Sequence, residues 1–415
     1  MEKIEVDVLI LGAGVTGISM GSFLGGRDYI ILEREGTAGG YCKTTIQDGF
    51  VWDYSGHFFH FRDPEIKNYI LENIDCEIFT VQKKSHVHYG GKLIDFPFQD
   101  NIHQLDLPEF MECLRDVYLT ERGTIVPSSF KEHIYSKLGK SICDKFVVPY
   151  NEKLYAIDLN LLDAGSMGRF FPNFRSFEDL LERIIHREKL VSYNDTFIYP
   201  EFGCFEFIKS ILKRVDESKI LLDHNVIEID LENKEVRTEK KIFKFNKLIN
   251  TLPLNSLMKL SGNPDEDLTS NKVVVFNLGF DSPTEIDSNW IYFPGEEVFY
   301  RVGFYNNIFD SSRMSLYVEI GLPTSHSVCE DELLERVIGD LVKSNIVKEQ
   351  KLISKQCIVM SPAYAHITEK SKSIYSEWCD RWNKSGIYSI GRYGEWTYCS
   401  IEDNIKQAKE LVNKI

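Results

Sequence analysis

A near-continuous apolar run, Val6 to Leu11 in VDVLILGAG, opens the chain, and an amphipathic run closes it. A short apolar run bounded by glycines predicts a strand covered on both faces. It enters Gly12, Gly14 and Gly17, after which the spacing turns helical, and YIIL then gives a second strand ending at Glu33. In HVHYGGKLIDFPF two short alternating segments flank Gly90 and Gly91, a hairpin signal. From about residue 104 to 190 apolar positions recur mainly at helical spacing, and SFEDLLERIIHREK begins with Ser176 and, three positions on, Asp179, a cap-like start. NKVVVFNLGF, VFYRVGFY and MSLYVEI predict strands of a largely antiparallel sheet, and CEDELLERVIGDLVKS an amphipathic helix. Near the end, SGIYSIGRYGEW predicts a strand and glycine turn, and SIEDNIKQAKELV a helix with an acidic first turn and Ser400 as its cap.

Strand, glycine turn, helix, second strand and acid stand in the order that dinucleotide binding needs. Glycines let the backbone approach a pyrophosphate at the helix N-terminus, and a carboxylate about 20 residues on accepts the ribose hydroxyls. Gly12, Gly14, Val15, Thr16 and Gly17 are the candidate turn, with Glu33 and Arg34 at the end of the second strand. A different kind of candidate lies in VFYRVGFY, residues 298–305, where one cation stands in an otherwise apolar strand. Alternation places Phe299, Arg301, Gly303 and Tyr305 on one side and Tyr300, Val302 and Phe304 on the other. A buried guanidinium needs an anion, so Arg301 calls for either an internal carboxylate or an anionic ligand.

Composition narrows the classes. The 415 residues exceed one small core and predict two or three substructures. With 48 Lys+Arg against 63 Asp+Glu, the net charge of −15 argues against a nucleic-acid scaffold. The nine cysteines are scattered with no CxxC, so neither a disulfide frame nor a metal site is expected. No apolar run reaches the ~18 residues of a membrane span, and the first residues read as a strand and not as a signal peptide; the expected location is the cytoplasm.

Gly39, Gly40 and Tyr41, followed by Cys42, resemble the second glycine turn of FAD proteins of the amine-oxidase type, which favours FAD over NAD. The stretch GRYGEW, with Gly391 and Arg392, is similar to that superfamily's C-terminal return to the flavin. The implied fold is α/β, an FAD-binding Rossmann-like domain with a helical domain and a mainly antiparallel substrate-binding sheet. The expected boundaries are 1–76, 199–262 and 383–415 for the FAD domain, 104–198 for the helices, and 77–103 with 263–382 for the sheet.

Six stretches taken together resemble the UDP-galactopyranose mutases, closer to their eukaryotic-type members: FPFQDN (96–101), VVPYNEKLYA (147–156), SMGRF (166–170), NDTFIYP (194–200), NWIYFPGEEVFYRVGFYNN (289–307) and GRYGEWTYCSIEDN (391–404). The resemblance implies that Arg169 and Arg301 hold a substrate pyrophosphate, with Tyr292, Tyr364 and Tyr398 as hydroxyl donors. It places Phe98, Gln99, Phe146 and Asn151 around a uridine, Asn194 and Trp290 beside the sugar, and His57 of YSGHFFHF against the flavin. Two departures stand out: Phe96 replaces a customary Tyr, and Ser55 a customary Gly. The implied activity interconverts UDP-galactopyranose and UDP-galactofuranose on reduced FAD, whose N5 bonds to the anomeric carbon, with NADH or NADPH as reductant and a UDP-hexose as the partner; a homo-oligomer is compatible with it. An FAD-dependent amine oxidase or protoporphyrinogen-oxidase-like enzyme, a mutase of another nucleotide hexose, and a flavoprotein that binds a nucleotide sugar without turnover are the alternatives.

Overall fold

The computed structural model describes residues 2–120, 126–168, 174–186, 195–309 and 311–415. The strands that position the site are, in chain order, β1 (Glu2–Leu11), β2 (Tyr29–Leu32), β3 (Ser85–Tyr89), β4 (Lys92–Asp95), β5 (Lys241–Asn250), β6 (Asn271–Phe280), β7 (Trp290–Tyr292), β8 (Arg301–Phe304), β9 (Ser315–Pro323), β10 (Leu352–Met360) and β11 (Ile387–Ser389). Three helices matter most: α1 (Val15–Leu24), α2 (Val148–Tyr155) and α3 (Ile401–Val412).

The first sheet is parallel at its centre, with β2, β1, β5 and β11 side by side. Helices and loops cover both faces, and Val8, Leu9, Ile10 and Leu11 are all 0% exposed, which is why the opening run carries almost no polar alternation. The antiparallel strands Val226–Asp230 and Glu235–Thr238 extend it beyond β5. The C-terminal return is part of this sheet, since β11 pairs with the end of β5 through Leu248, Ile249 and Asn250. Ser400 caps α3 as expected, its side chain accepting from the Asp403 backbone N–H in a reciprocal box.

The second sheet runs β10-β6-β9-β8-β7-β3-β4. All its pairings are antiparallel except β7 with β3, so the expected architecture is present. Between β3 and β4, Gly90 and Gly91 take φ of 58° and 73°, the left-handed conformations a tight hairpin turn requires. The middle of the chain is helical at Leu107–Thr120, Phe130–Ile142, α2 and Phe177–His186. Ser176 accepts from the Asp179 N–H at the start of the last of these. Among the described residues no helix is long and apolar enough to cross a membrane.

The expected alternation through VFYRVGFY holds only from Arg301 onward. Phe299 packs with Val302 and Phe304 in one apolar cluster, whereas Tyr300 joins Tyr305 and Tyr317 in the other. The strand begins at Arg301, so period-two alternation does not extend back through the preceding turn, and Tyr300 reaches the cavity side.

Two expectations concern stability. Gly303 faces Tyr317 across β8 and β9, and a Cβ there would stand 1.9 Å from the tyrosine ring. Gly303→Ala is therefore expected to lower stability by about 1–3 kcal/mol through overpacking, read as a lower urea midpoint at unchanged slope. Asp53 is fully buried, accepting from Thr44 Oγ1 at 2.6 Å, Tyr199 Oη at 2.6 Å and the Cys204 N–H at 3.1 Å. Burial raises its pKa to about 6 against the opposing pull of those donors. Because the folded value is the higher one, the carboxyl's stabilising contribution is complete below the ordinary range of about 4 and is lost as pH rises through about 6. Asp53→Asn should fold and flatten Tm against pH between 4 and 7; an unchanged profile would assign the slope to other groups.

Candidate functional site

The glycine turn after β1 is built for close approach. Gly12 takes φ of 94°, and a Cβ on Gly17 would fall 1.9 Å from the Gly12 carbonyl oxygen, so the turn cannot accept a side chain there. Gly40 faces it, where an added Cβ would come within 3.1 Å of the Gly14 Cα. Glu33 Oε2 accepts from the Ala13 N–H at 2.8 Å and Oε1 from the Glu35 N–H at 3.0 Å, which fixes the carboxylate beneath the turn. From the far end of the chain Asn404 Oδ1 accepts from Thr16 Oγ1 and from the Arg392 N–H, both at 2.8 Å. The Gly391 N–H donates to Gln407, so the C-terminal return is anchored onto the start of α1.

A cavity of about 880 Å³ begins at this cradle, at the upper end of small-molecule sites. Gly12, Gly14, Val15, Thr16, Glu33 and Arg34 line it, with Gly39, Gly40 and Tyr41. His57, Trp290, Arg301, Tyr364, Arg392 and Tyr398 line the same cavity. Gly17 and Gly391 sit behind the wall, where they keep the backbone close. The glycine cradle, the fixed acid and a cavity of this volume fit a dinucleotide carrying a flavin ring.

Within this lining Arg301 has a protein partner. It lies opposite Glu319 in the β8–β9 register, and its Nε and Nη2 donate to the two carboxylate oxygens at 2.5 and 2.8 Å. Glu319 is 1% exposed and also accepts from the Ser55 hydroxyl. Burial opposes the guanidinium's charge, but Glu319 raises its pKa well above the ordinary value. The internal carboxylate thus takes two of the donors, Nη1 is outside that pair, and Arg301 lines the cavity. Arg392 differs. Its guanidinium lies 4.5 Å from the Tyr398 ring centre, 5.2 Å from that of Tyr364 and 5.9 Å from that of Tyr393. Its Nη1 donates weakly to the Cys399 carbonyl at 3.5 Å, and among the described residues no carboxylate forms an ion pair with it.

His57 lies among these charges. Burial pushes its pKa down to about 4, Arg392 and Arg301 adding to the effect and Glu319 opposing it. Its Nδ1 is buried without a protein partner. Tyr364 is raised by burial and stays a phenol, able to donate.

The expected uridine residues lie apart from the cavity lining. Phe98, Gln99, Phe146 and Asn151 are at most 5% exposed. Phe146 packs on Phe98 at 5.3 Å and on Tyr150 at 5.4 Å, and Tyr292 meets Phe96 at 4.8 Å and Tyr150 at 5.2 Å. Asn151, on α2, donates to the Val147 carbonyl, while its Oδ1 is buried without a partner, an acceptor that costs about 1–3 kcal/mol to leave unmet. Arg169 and Asn194 lie outside the described residues.

Glu319 and Tyr300 were not singled out from the sequence. The signal for Glu319 was present: one acid in the apolar run SLYVEI mirrors one cation in FYRVGF, and the two runs are predicted neighbours.

A family model described as flavin containing amine oxidoreductase matches residues 24–399. Among solved structures, a reduced UDP-galactopyranose mutase is similar over 98% of this chain and 95% of that one, with a TM-score of 0.91 and 22% identity. A putative protoporphyrinogen oxidase from an Exiguobacterium species is similar over 100% and 98%, with a TM-score of 0.78 and 16% identity. A putrescine oxidase double mutant is similar over 99% of each chain, with a TM-score of 0.71 and 13% identity. At these identities the likenesses establish the fold. The family match spans most of the sequence, including the second glycine turn, the histidine loop and the Arg392 return, and the chain belongs to the flavin containing amine oxidoreductase family.

Proposed function

We propose that the protein is a flavin-dependent nucleotide-sugar mutase that interconverts the pyranose and furanose forms of a UDP-hexose, as between UDP-galactopyranose and UDP-galactofuranose. The observation that carries this is Arg392, a guanidinium without a carboxylate partner among the described residues, set against Tyr364 and Tyr398 in the same cavity as the dinucleotide cradle. A planar guanidinium beside two phenols suits a diphosphate, and an amine substrate brings none. The fold similarity to a reduced UDP-galactopyranose mutase supports the same conclusion.

Bound reduced FAD, renewed by NADH or NADPH, would supply the nucleophile for the anomeric carbon. The chain's own groups supply placement and charge. Arg392, Nη1 of Arg301 and the hydroxyls of Tyr364 and Tyr398 would hold the diphosphate as it departs and keep it for return; Arg169 is a further candidate for this role. Glu319 and Ser55 fix the Arg301 guanidinium, so less of its freedom is lost when the anion arrives. His57, with a pKa of about 4, is neutral at physiological pH and acts by position and by its buried Nδ1, not by charge. Asn151 Oδ1, an acceptor in want of a donor, would read an N–H on the base edge once the surrounding rings admit it.

Three outcomes follow. The dithionite-reduced, FAD-loaded protein should convert UDP-galactofuranose to UDP-galactopyranose under anaerobic conditions, read by chromatography, and the oxidised protein should not; steady oxygen consumption with an amine and no conversion would sink the proposal in favour of an oxidase. Arg392→Lys should lower kcat/KM by about 10- to 100-fold with FAD retained, the loss of one charge-assisted bond of about 1.5–3 kcal/mol. From pH 5 to 8 the rate should show no inflection belonging to His57, so wild type and His57→Gln should give parallel profiles over that range.

A further inference from the structure

Two consecutive residues reach the cavity at the head of β8, which a regular strand would not allow. Successive side chains of a strand point to opposite faces, yet Tyr300 and Arg301 both line the cavity, because the strand begins only at Arg301. One residue of β9 holds both. The Tyr300 N–H donates to the Glu319 carbonyl at 3.0 Å, and the Arg301 guanidinium donates to the Glu319 carboxylate. The Tyr300 carbonyl accepts from the Phe293 N–H at 2.9 Å, and its ring meets that of Tyr150, on α2, nearly edge-on at 6.0 Å. Backbone and ring are therefore fixed, and the residue is 1% exposed. Its hydroxyl makes no hydrogen bond with any of the described residues.

A buried phenol hydroxyl usually finds a partner, because an unpaired polar group is costly to desolvate. The Glu319 carboxylate does not serve, since its oxygens accept from Nε and Nη2 of Arg301 and from Ser55. Burial raises the Tyr300 pKa well above the ordinary value, Glu319 and Tyr364 adding to the effect and Arg301 opposing it, so the group offers a proton and does not lose it. A neutral donor next to a fixed guanidinium suits an acceptor with several lone pairs and negative charge, which a phosphoryl group has and a sugar hydroxyl lacks. We propose that Tyr300 is a further ligand-binding residue of this site, its hydroxyl donating to an oxygen of the same diphosphate that Arg301 meets. Adjacent positions in the chain then supply one neutral and one charged donor to a single group, and the break in alternation at the head of β8 is what lets them do so.

This inference rests on the nucleotide-sugar mutase proposal, and the test separates the two. Affinities of the FAD-loaded, reduced protein for UDP and UDP-galactose are measured by anaerobic calorimetry for wild type and Tyr300→Phe, together with the Tm of each protein before ligand is added and the phosphorus NMR resonances of bound UDP. Tyr300→Phe keeps the ring against Tyr150 and deletes only the hydroxyl, so Tm should not fall. Both ligands should bind about tenfold more weakly, the scale of one hydrogen bond to a charged group, and by the same factor, because the diphosphate is what they share. The resonances of bound UDP should move. Unchanged UDP affinity, a loss confined to UDP-galactose, unmoved phosphorus resonances, or weaker binding accompanied by a lowered Tm would each overturn the Tyr300 inference alone. Failure of the wild type to bind UDP would overturn both.

Discussion

The site is organised by one buried ion pair, Arg301 with Glu319, set by the antiparallel register of β8 on β9. Each charge alone in an apolar strand would be costly. Opposed in register, with two hydrogen bonds between them, they form a neutral unit whose disruption by removal of one partner costs about 3–5 kcal/mol. Ser55 donates to the same carboxylate, so the pair also ties the histidine loop, which follows the nucleotide domain's second glycine turn, to the far sheet. A glycine at position 55 could not make that bond.

Neutralising Arg301 changes how charge is distributed in the cavity. Arg392 has no carboxylate partner among the described residues; its backbone is held against α1 and α3 and its side chain lies among tyrosine rings. The polypeptide that closes the first sheet through β11 thereby places a positive charge in the cavity, close enough to His57 to act on it. Burial and the two guanidinium groups keep His57 uncharged, which leaves the positive potential of this region to groups that cannot lose a proton near neutrality.

Much of the architecture was legible in the sequence because its signals are local. The glycine turn, the acid at Glu33, the Gly90–Gly91 hairpin and the caps at Ser176 and Ser400 each depend on a few adjacent residues. What was hidden depends on pairing between distant segments. Arg301 posed a question that only strand register could answer, since Glu319 is 18 residues away in the chain and directly opposite in the sheet. Tyr300 was assigned to the wrong face because alternation was extended through a turn. Phe98 and Phe146 were expected around a uridine and Tyr292 among the hydroxyl donors, but their packing in one aromatic group apart from the cavity lining could not be read from their spacing.

The central claim is that the cavity is built for a substrate diphosphate beside a flavin. A crystal structure of the reduced holoprotein with UDP tests it most directly. The account predicts phosphate oxygens within hydrogen-bonding distance of Arg392 and of Nη1 of Arg301, with the Arg301–Glu319 pair intact and the Tyr364 and Tyr398 hydroxyls turned toward them. UDP seated elsewhere, with both guanidinium groups engaged only by the protein and the flavin, would contradict it.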